Sequence, residues 1–219
     1  MDSIFIITEG QSEEKFYKSV FSEYFKSDYY FQVTCMPNKK NAYSRKNKGG
    51  TVSYDLCLRN IKRFLNEATH CRNVFLIYDL YGLHNSFYDG YEGTNDTDSK
   101  ISFLVNRLEN DVNNSKFKFI LQVHEFEAYL FADPNEIVKH FNKEEKLDEF
   151  NSILASHNNN PEDINDSTET APSKRIINIF PQYEFGKTSD GVVIAKNIGI
   201  DKIKSKCKRF DDFCTILKN

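Results

Sequence analysis

Through the first half of the chain, short apolar runs alternate with stretches in which hydrophobic residues recur every three or four positions, the pattern of strands alternating with amphipathic helices. Residues 4–7 read as a first strand, and Phe16, Val20, Phe21 and Tyr24 predict a helix over about 11–26 with one apolar side. Residues 29–35 read as a second strand, and 52–68 as a helix turning Leu56, Ile61, Phe64 and Leu65 inward. Residues 74–78 carry the strongest strand signal of the chain. A loop rich in Gly, Asn and Asp follows over 81–97, then a helix over about 98–111 and a strand over 117–123. The connections are too long for hairpins, so neighbouring strands are expected to run parallel through helical crossovers. Beyond Asp133-Pro134 the pattern turns helical, with a polar break over 157–166. The expected fold is α/β: an open, mostly parallel sheet flanked by helices over residues 1–132, with a helical C-terminal extension over 133–219 packed on it.

Acidic residues fall where such a fold places its ligands. Glu9, Asp79 and the Glu125/Glu127 pair each stand just past an apolar run, and in an open parallel sheet the carboxyl ends of the strands form one rim. Carboxylates gathered there repel one another and lose hydration, a cost that a divalent cation offsets; an all-oxygen donor set favours Mg²⁺ or Mn²⁺. In Glu9-Gly10-Gln11-Ser12-Glu13 the glycine permits a tight turn and Glu13 falls in the first helical turn, four residues on. Glu13 and Glu14 equally suit a helix N-terminus through the dipole, whereas Glu9, at a strand end, has no such explanation. Asp79 precedes a long loop rather than a helix, so capping explains it poorly.

His124-Glu125-Phe126-Glu127 is the densest cluster. If the strand continues, Glu125 and Glu127 share a face; if a helix begins, they diverge by about 200°. His124 reads as a ligand, a general acid or base, or a hydrogen-bonded core histidine. No second histidine completes the HExxH zinc spacing, which excludes that metalloprotease class. In Ala171-Pro172-Ser173-Lys174-Arg175 the proline suits a first helical position, and the two cations are either a solvated pair or partners for a phosphate.

A chain of 219 residues can bury a full α/β core, and 19 Phe and 12 Tyr supply it despite a mean hydropathy of -0.59. The net charge of -3 excludes a protein-wide cationic field, so contact with a polyanion must be local. Lys39, Lys40, Arg45, Lys46 and Lys48, interleaved with Tyr43 and closed by Gly49-Gly50, form one cationic run; Lys202, Lys204, Lys206, Lys208 and Arg209 form another. Each is either solvated surface or a grip on a phosphate backbone that weakens steeply with salt. Five cysteines, odd in number and without CxxC spacing, point to a reducing cytosol. The apolar run at residues 4–7 is too short for a signal peptide or a membrane span, and a cytoplasmic location is expected.

Six blocks occur in order along nearly the whole chain: Glu9-Gly10-x-x-Glu13, Lys48-Gly49-Gly50, Asp79-x-Tyr81-Gly82-Leu83, His124-Glu125-Phe126-Glu127-x-x-Leu130-Phe131, Pro161-Glu162-x-Ile164-Asn165 and Thr170-Ala171-Pro172-Ser173-Lys174-Arg175-Ile176. In these blocks the chain resembles an uncharacterised bacterial family, the domain of unknown function numbered 4276, grouped with the Toprim-like proteins. The resemblance implies a Toprim-like core of the kind found in topoisomerases, primases and the overcoming-lysogenization-defect nucleases. There a glutamate after the first strand and aspartates of a DxD motif after a later one hold Mg²⁺ for phosphoryl chemistry. By that correspondence Glu9 is the glutamate, Asp79 the first aspartate and Glu13 the extra glutamate of the nuclease branch.

Tyr81 stands where the second aspartate belongs, leaving Glu125 or Glu127 to replace it. The implied activity is Mg²⁺- or Mn²⁺-dependent hydrolysis of DNA or RNA, with Glu9, Asp79, Glu125 and Lys174 catalytic and Glu9, Glu13, Asp79, Glu125 and Glu127 as metal ligands. Lys39, Lys40, Arg45, Lys46, Lys48 and Arg175 would contact the nucleic acid. Glu9, Asp79 and one of Glu125/Glu127 would then lie roughly 4 to 6 Å apart around a shared cation. An ATPase partner in phage defence is also implied. The alternative, which Tyr81 suggests, is a non-catalytic subunit that binds nucleic acid or an ATPase through a degenerate Toprim site.

Overall fold

The structure is a computed structural model that describes residues 1–37, 52–94, 96–123, 125–164 and 169–218. It divides into two compact units, one formed by Met1–Lys18 and Ser22–Leu121, the other by Ser19–Phe21 and Gln122–Asn219.

The first unit is built on four strands, β1 (Asp2–Thr8), β2 (Tyr29–Cys35), β3 (Asn73–Asp79) and β4 (Phe117–Gln122), in an all-parallel sheet of order β2-β1-β3-β4. Their composition explains their places. β3 buries Val74 through Tyr78 without interruption and β1 buries Ile4, Ile6, Ile7 and Thr8, as strands covered on both faces require. β2 lies at an edge with most residues half-exposed. Thr8 is level with Cys35 of β2 and Ile77 of β3, so the residues leaving β1 emerge beside the end of β3. Helices α3 (Tyr54–Glu67) and α4 (Thr97–Val112) place Cys57, Ile61, Phe64, Leu104 and Leu108 in one core with Ile7, Leu76, Tyr78, Phe117 and Phe119.

The helix expected over 11–26 is interrupted. α1 (Gln11–Phe16) passes through a π-helical turn, Tyr17–Phe21, before α2 (Ser22–Tyr24), and both the backbone N–H and the Oγ of Ser22 donate to the Tyr17 carbonyl. One extra residue in a turn barely alters a hydrophobic period, so this π-turn leaves no mark in the sequence pattern. The loop expected over 81–97 holds two short 3₁₀ turns, Leu80–Gly82 and Asn85–Tyr88.

The second unit is helical and packed largely by aromatic rings. After β4 comes a 3₁₀ helix, Phe126–Ala132, buried along its whole length. It is followed by α5 (Pro134–His140), α6 (Leu147–Ser156), α7 (Pro172–Ile179), α8 (Tyr183–Ile198), α9 (Ile200–Lys206) and α10 (Lys208–Lys218). Phe131 packs on Phe150, Phe150 stacks on Phe180, Tyr129 meets Phe210, and Phe21 of the π-turn stacks on Phe213 at 5.5 Å between centroids. All five cysteines are buried and unbridged. Among the described residues no helix is long and apolar enough to cross a membrane.

Candidate functional site

In the order β2-β1-β3-β4 the chain runs first to one side of β1 and then returns to the other, so the topology reverses between β1 and β3. The carboxyl ends of strands at such a reversal open a crevice where α/β folds bind ligands. Glu9 follows the end of β1 and Asp79 ends β3. They are neighbours: the Asp79 backbone N–H donates to Glu9 Oε2 at 3.3 Å. Asp79 occupies the capping position of the 3₁₀ turn Leu80–Gly82, yet its side chain makes no capping hydrogen bond, so helix capping does not account for it.

Two glycines border these acids. Both Glu9 carboxylate oxygens lie 2.5 Å from the point a Cβ on Gly82 would occupy, and Glu13 Oε2 lies 2.5 Å from the corresponding point on Gly10. Gly10 has φ -121° and ψ 173°, extended backbone open to any residue, so the tight-turn role expected for it is corrected: what Gly10 supplies is room.

Three polar groups complete this rim. Glu14 pairs with Lys18 at 2.7 Å. Cys35 Sγ lies 2.9 Å from the Gly10 carbonyl oxygen and 3.2 Å from Glu14 Oε2. Burial above all, reinforced by Glu14 and Glu13, pushes the Cys35 thiol up to about 12, which makes it a hydrogen-bond donor rather than a thiolate nucleophile. The buried Tyr78 hydroxyl has no hydrogen-bond partner among the described residues. Burial, with Cys57 and Glu9 adding to it, holds that hydroxyl well above the ordinary tyrosine value. Tyr81, which the resemblance set against the second aspartate, is 65% exposed.

The carboxylates of the rim form an all-oxygen donor set. Mg²⁺ is commonly held by one or two carboxylates, with waters and substrate phosphates completing the shell, and Glu9, tied to the Asp79 backbone, and Asp79 are the rim acids that would hold one. No group of three or more His, Cys, Asp or Glu side chains placed to hold a metal occurs among the described residues.

The acids of the HEFE block belong to the second unit. β4 ends at Gln122 and the 3₁₀ helix begins at Phe126, so the shared strand face does not form and the helical alternative holds. Glu127, expected as a metal ligand, is a buried carboxylate of the second unit. It is 5% exposed and accepts from Tyr183 Oη at 3.4 Å, with Lys187 Nζ at 3.9 Å. Burial, and next the Glu127 charge, drive the Tyr183 hydroxyl far above its ordinary value, keeping it protonated as the donor. Glu125 Oε2 instead accepts from the Ser173 backbone N–H at 3.1 Å, at the N-terminus of α7, where a carboxylate is favoured. The two acids are thus committed to different helices because the 3₁₀ turn directs them apart.

Pro172 takes the first position of α7, as its place before Ser173-Lys174 implied, and Lys174 is exposed in the first turn. Arg175 Nε donates to the Thr170 carbonyl at 2.9 Å. In the Pro161-Glu162 block, Glu162 accepts from the backbone N–H groups of Arg209 and Phe210 at 2.9 and 3.2 Å, at the start of α10. Lys204 and Lys208 of the second cationic run pair with Asp211 and Asp212, which favours the surface reading for that run. His124, Lys39, Lys40, Arg45, Lys46, Lys48 and Asn165 lie outside the described residues. The reading from sequence gave Tyr78 no place at the rim and named Gly82 only within its block. Gly82 stands three residues after Asp79 and Tyr78 just before it, and that proximity to an acid was the available signal.

The chain matches, over residues 8–218, the family described as Domain of unknown function (DUF4276). No curated protein and no solved structure matches it.

Proposed function

The chain belongs to the DUF4276 family, and from that premise we propose that it is a Mg²⁺- or Mn²⁺-dependent phosphodiester hydrolase of the nuclease type, with a Toprim-like first unit. The observation that carries this reading is the juxtaposition of Glu9 and Asp79 at the topological reversal, tied by the 3.3 Å bond from the Asp79 N–H. Glu9 and Asp79 would hold the ion, with Glu13 beside them. When bound, such an ion neutralises charge on a phosphate and lowers the pKa of a coordinated water.

The protein's own groups do the rest. The Asp79 N–H orients the Glu9 carboxylate. Cys35 and Tyr78, both held protonated, add donors without adding charge to an already anionic rim. Lys174 is exposed in the first turn of α7, and it is the candidate electrophilic helper for a phosphate. Nucleic acid is the substrate class this reading carries.

The test is cleavage of single- and double-stranded DNA and RNA by purified protein with Mg²⁺ or Mn²⁺. Metal-dependent cleavage that disappears in Glu9→Gln and Asp79→Asn supports the proposal; absence of both cleavage and Mn²⁺ binding in the wild type sinks it. One observation favours a second reading, a non-catalytic binding subunit: exposed Tyr81 stands in place of an acid. Nucleic-acid binding that persists unchanged in Glu9→Gln, without any Mn²⁺ affinity in the wild type, selects that reading.

A further inference from the structure

We infer that Gly82 and Gly10 are positioning residues: by lacking a side chain they seat the Glu9 and Glu13 carboxylates at the rim, and so set its affinity for a divalent cation. The geometry of the seats is observed directly, and only their consequence for a cation rests on the reading above. A glycine is required either by a backbone conformation or by space. The positive-φ glycines of the described residues are Gly90 and Gly199, so neither Gly10 nor Gly82 is needed for conformation. Space is what remains. A Cβ on Gly82 would stand 2.5 Å from each Glu9 oxygen and 2.8 Å from its carboxyl carbon, and a Cβ on Gly10 would stand 2.5 Å from Glu13 Oε2. Real carbon–oxygen contacts do not approach so closely, so an added methyl group must displace the carboxylate.

What the methyl would strike decides the consequence. At both positions the atoms in the way are the tips of glutamate side chains, which swing aside by rotating about staggered torsions. The fold therefore survives while the acid moves, and on Gly82 the moved acid also loses its bond from the Asp79 N–H. Gly191 shows the contrasting case. A Cβ there would meet Tyr183 Oη at 2.7 Å and the Phe126 ring at 3.1 Å, and both side chains are buried in the helical unit. That glycine is a packing residue, with no flexible tip to yield. The Gly82 seat engages both oxygens of Glu9 and the Gly10 seat one oxygen of Glu13, so Gly82 is the stronger determinant.

The experiment compares wild type, Gly82→Ala, Gly10→Ala and Glu9→Gln by Mn²⁺ titration, by urea denaturation without metal, and by carbon-13 NMR of glutamate carboxyls in metal-free protein. Expected are a wild-type urea midpoint in Gly82→Ala, a displaced Glu9 carboxyl resonance, and Mn²⁺ affinity lower by tenfold or more, with a smaller loss in Gly10→Ala. Wild-type Mn²⁺ affinity in Gly82→Ala overturns the inference, and so does an unmoved Glu9 resonance. Loss of folding in Gly82→Ala also overturns it, because the glycine would then serve packing. Should the wild type bind no Mn²⁺, the hydrolase reading fails, and the NMR shift alone decides whether the seats exist.

Discussion

Glu9 and Glu127 look alike in sequence, each an acid within a few residues of the end of an apolar strand, yet the two units treat them in opposite ways. Glu9 sits at a strand end of the first unit, over a glycine and against one backbone N–H. Glu127 is buried in the second unit between a tyrosine hydroxyl and a lysine. The first arrangement keeps a carboxylate at the end of the sheet, against a backbone N–H; the second satisfies a carboxylate inside a core, where removal leaves other groups stranded. An acid after a strand is therefore a hypothesis about chemistry only when the next element leaves it at the rim.

Four outcomes would break or sharpen this contrast. The largest effect is expected at the first unit: Glu9→Gln or Asp79→Asn abolishes metal-dependent cleavage while urea stability changes by less than about 1 kcal/mol, as for substitutions outside a packed core. Retained cleavage in either variant would erase the distinction. Next, Lys174→Ala is expected to lower cleavage by about 10² to 10⁴, the scale of losing an electrostatic stabiliser of the transition state, with Mn²⁺ affinity intact. Full activity in that variant makes Lys174 a surface cation.

Glu127→Ala should show the reverse behaviour of Glu9→Gln. It strips the buried Tyr183 hydroxyl of its charged acceptor and leaves Lys187 unpaired, costing roughly 2–4 kcal/mol by urea denaturation, at the lower end if Lys187 turns to water. Mn²⁺ affinity is expected to hold, and a stability unchanged by Glu127→Ala would show that the acid is not structural.

The smallest effect concerns Glu162, another carboxylate of the helical unit. Burial raises its pKa above the ordinary carboxylate value, although the N–H bonds from Arg209 and Phe210 pull the other way. With the folded value above the unfolded one, the native state binds the proton more tightly, so this contribution is present at low pH and is lost as pH rises through the folded pKa. Glu162→Gln should flatten the fall in stability across that window. An unaltered pH profile would show that the carboxylate does not titrate with folding.

Much of the architecture was legible because hydrophobic periodicity is a local property. The uninterrupted apolar run of β3 and the alternating helices announced a parallel sheet, and β2 spans residues 29–35 as read from its pattern. The π-turn at Tyr17–Phe21 was not legible, since it shifts the helical period too little to register. The division of the HEFE acids was left open by pattern alone. Whether Glu125 and Glu127 share a face depends on the backbone after Gln122, and tertiary burial of the 3₁₀ helix Phe126–Ala132 selected the turn.

By itself the sequence determined the alternation of strands and helices, the acids past strand ends and membership of the family, all properties of short windows and ordered motifs. Only the tertiary structure decided that Glu9 meets the Asp79 N–H across 70 positions of chain, that Glu125 turns to α7 while Glu127 turns inward to Tyr183, and that Gly10 and Gly82 supply room rather than a turn. The physical reason is that periodicity reports which face of an element is buried, whereas a carboxylate's role depends on which distant backbone and side-chain atoms occupy its few ångströms of surroundings.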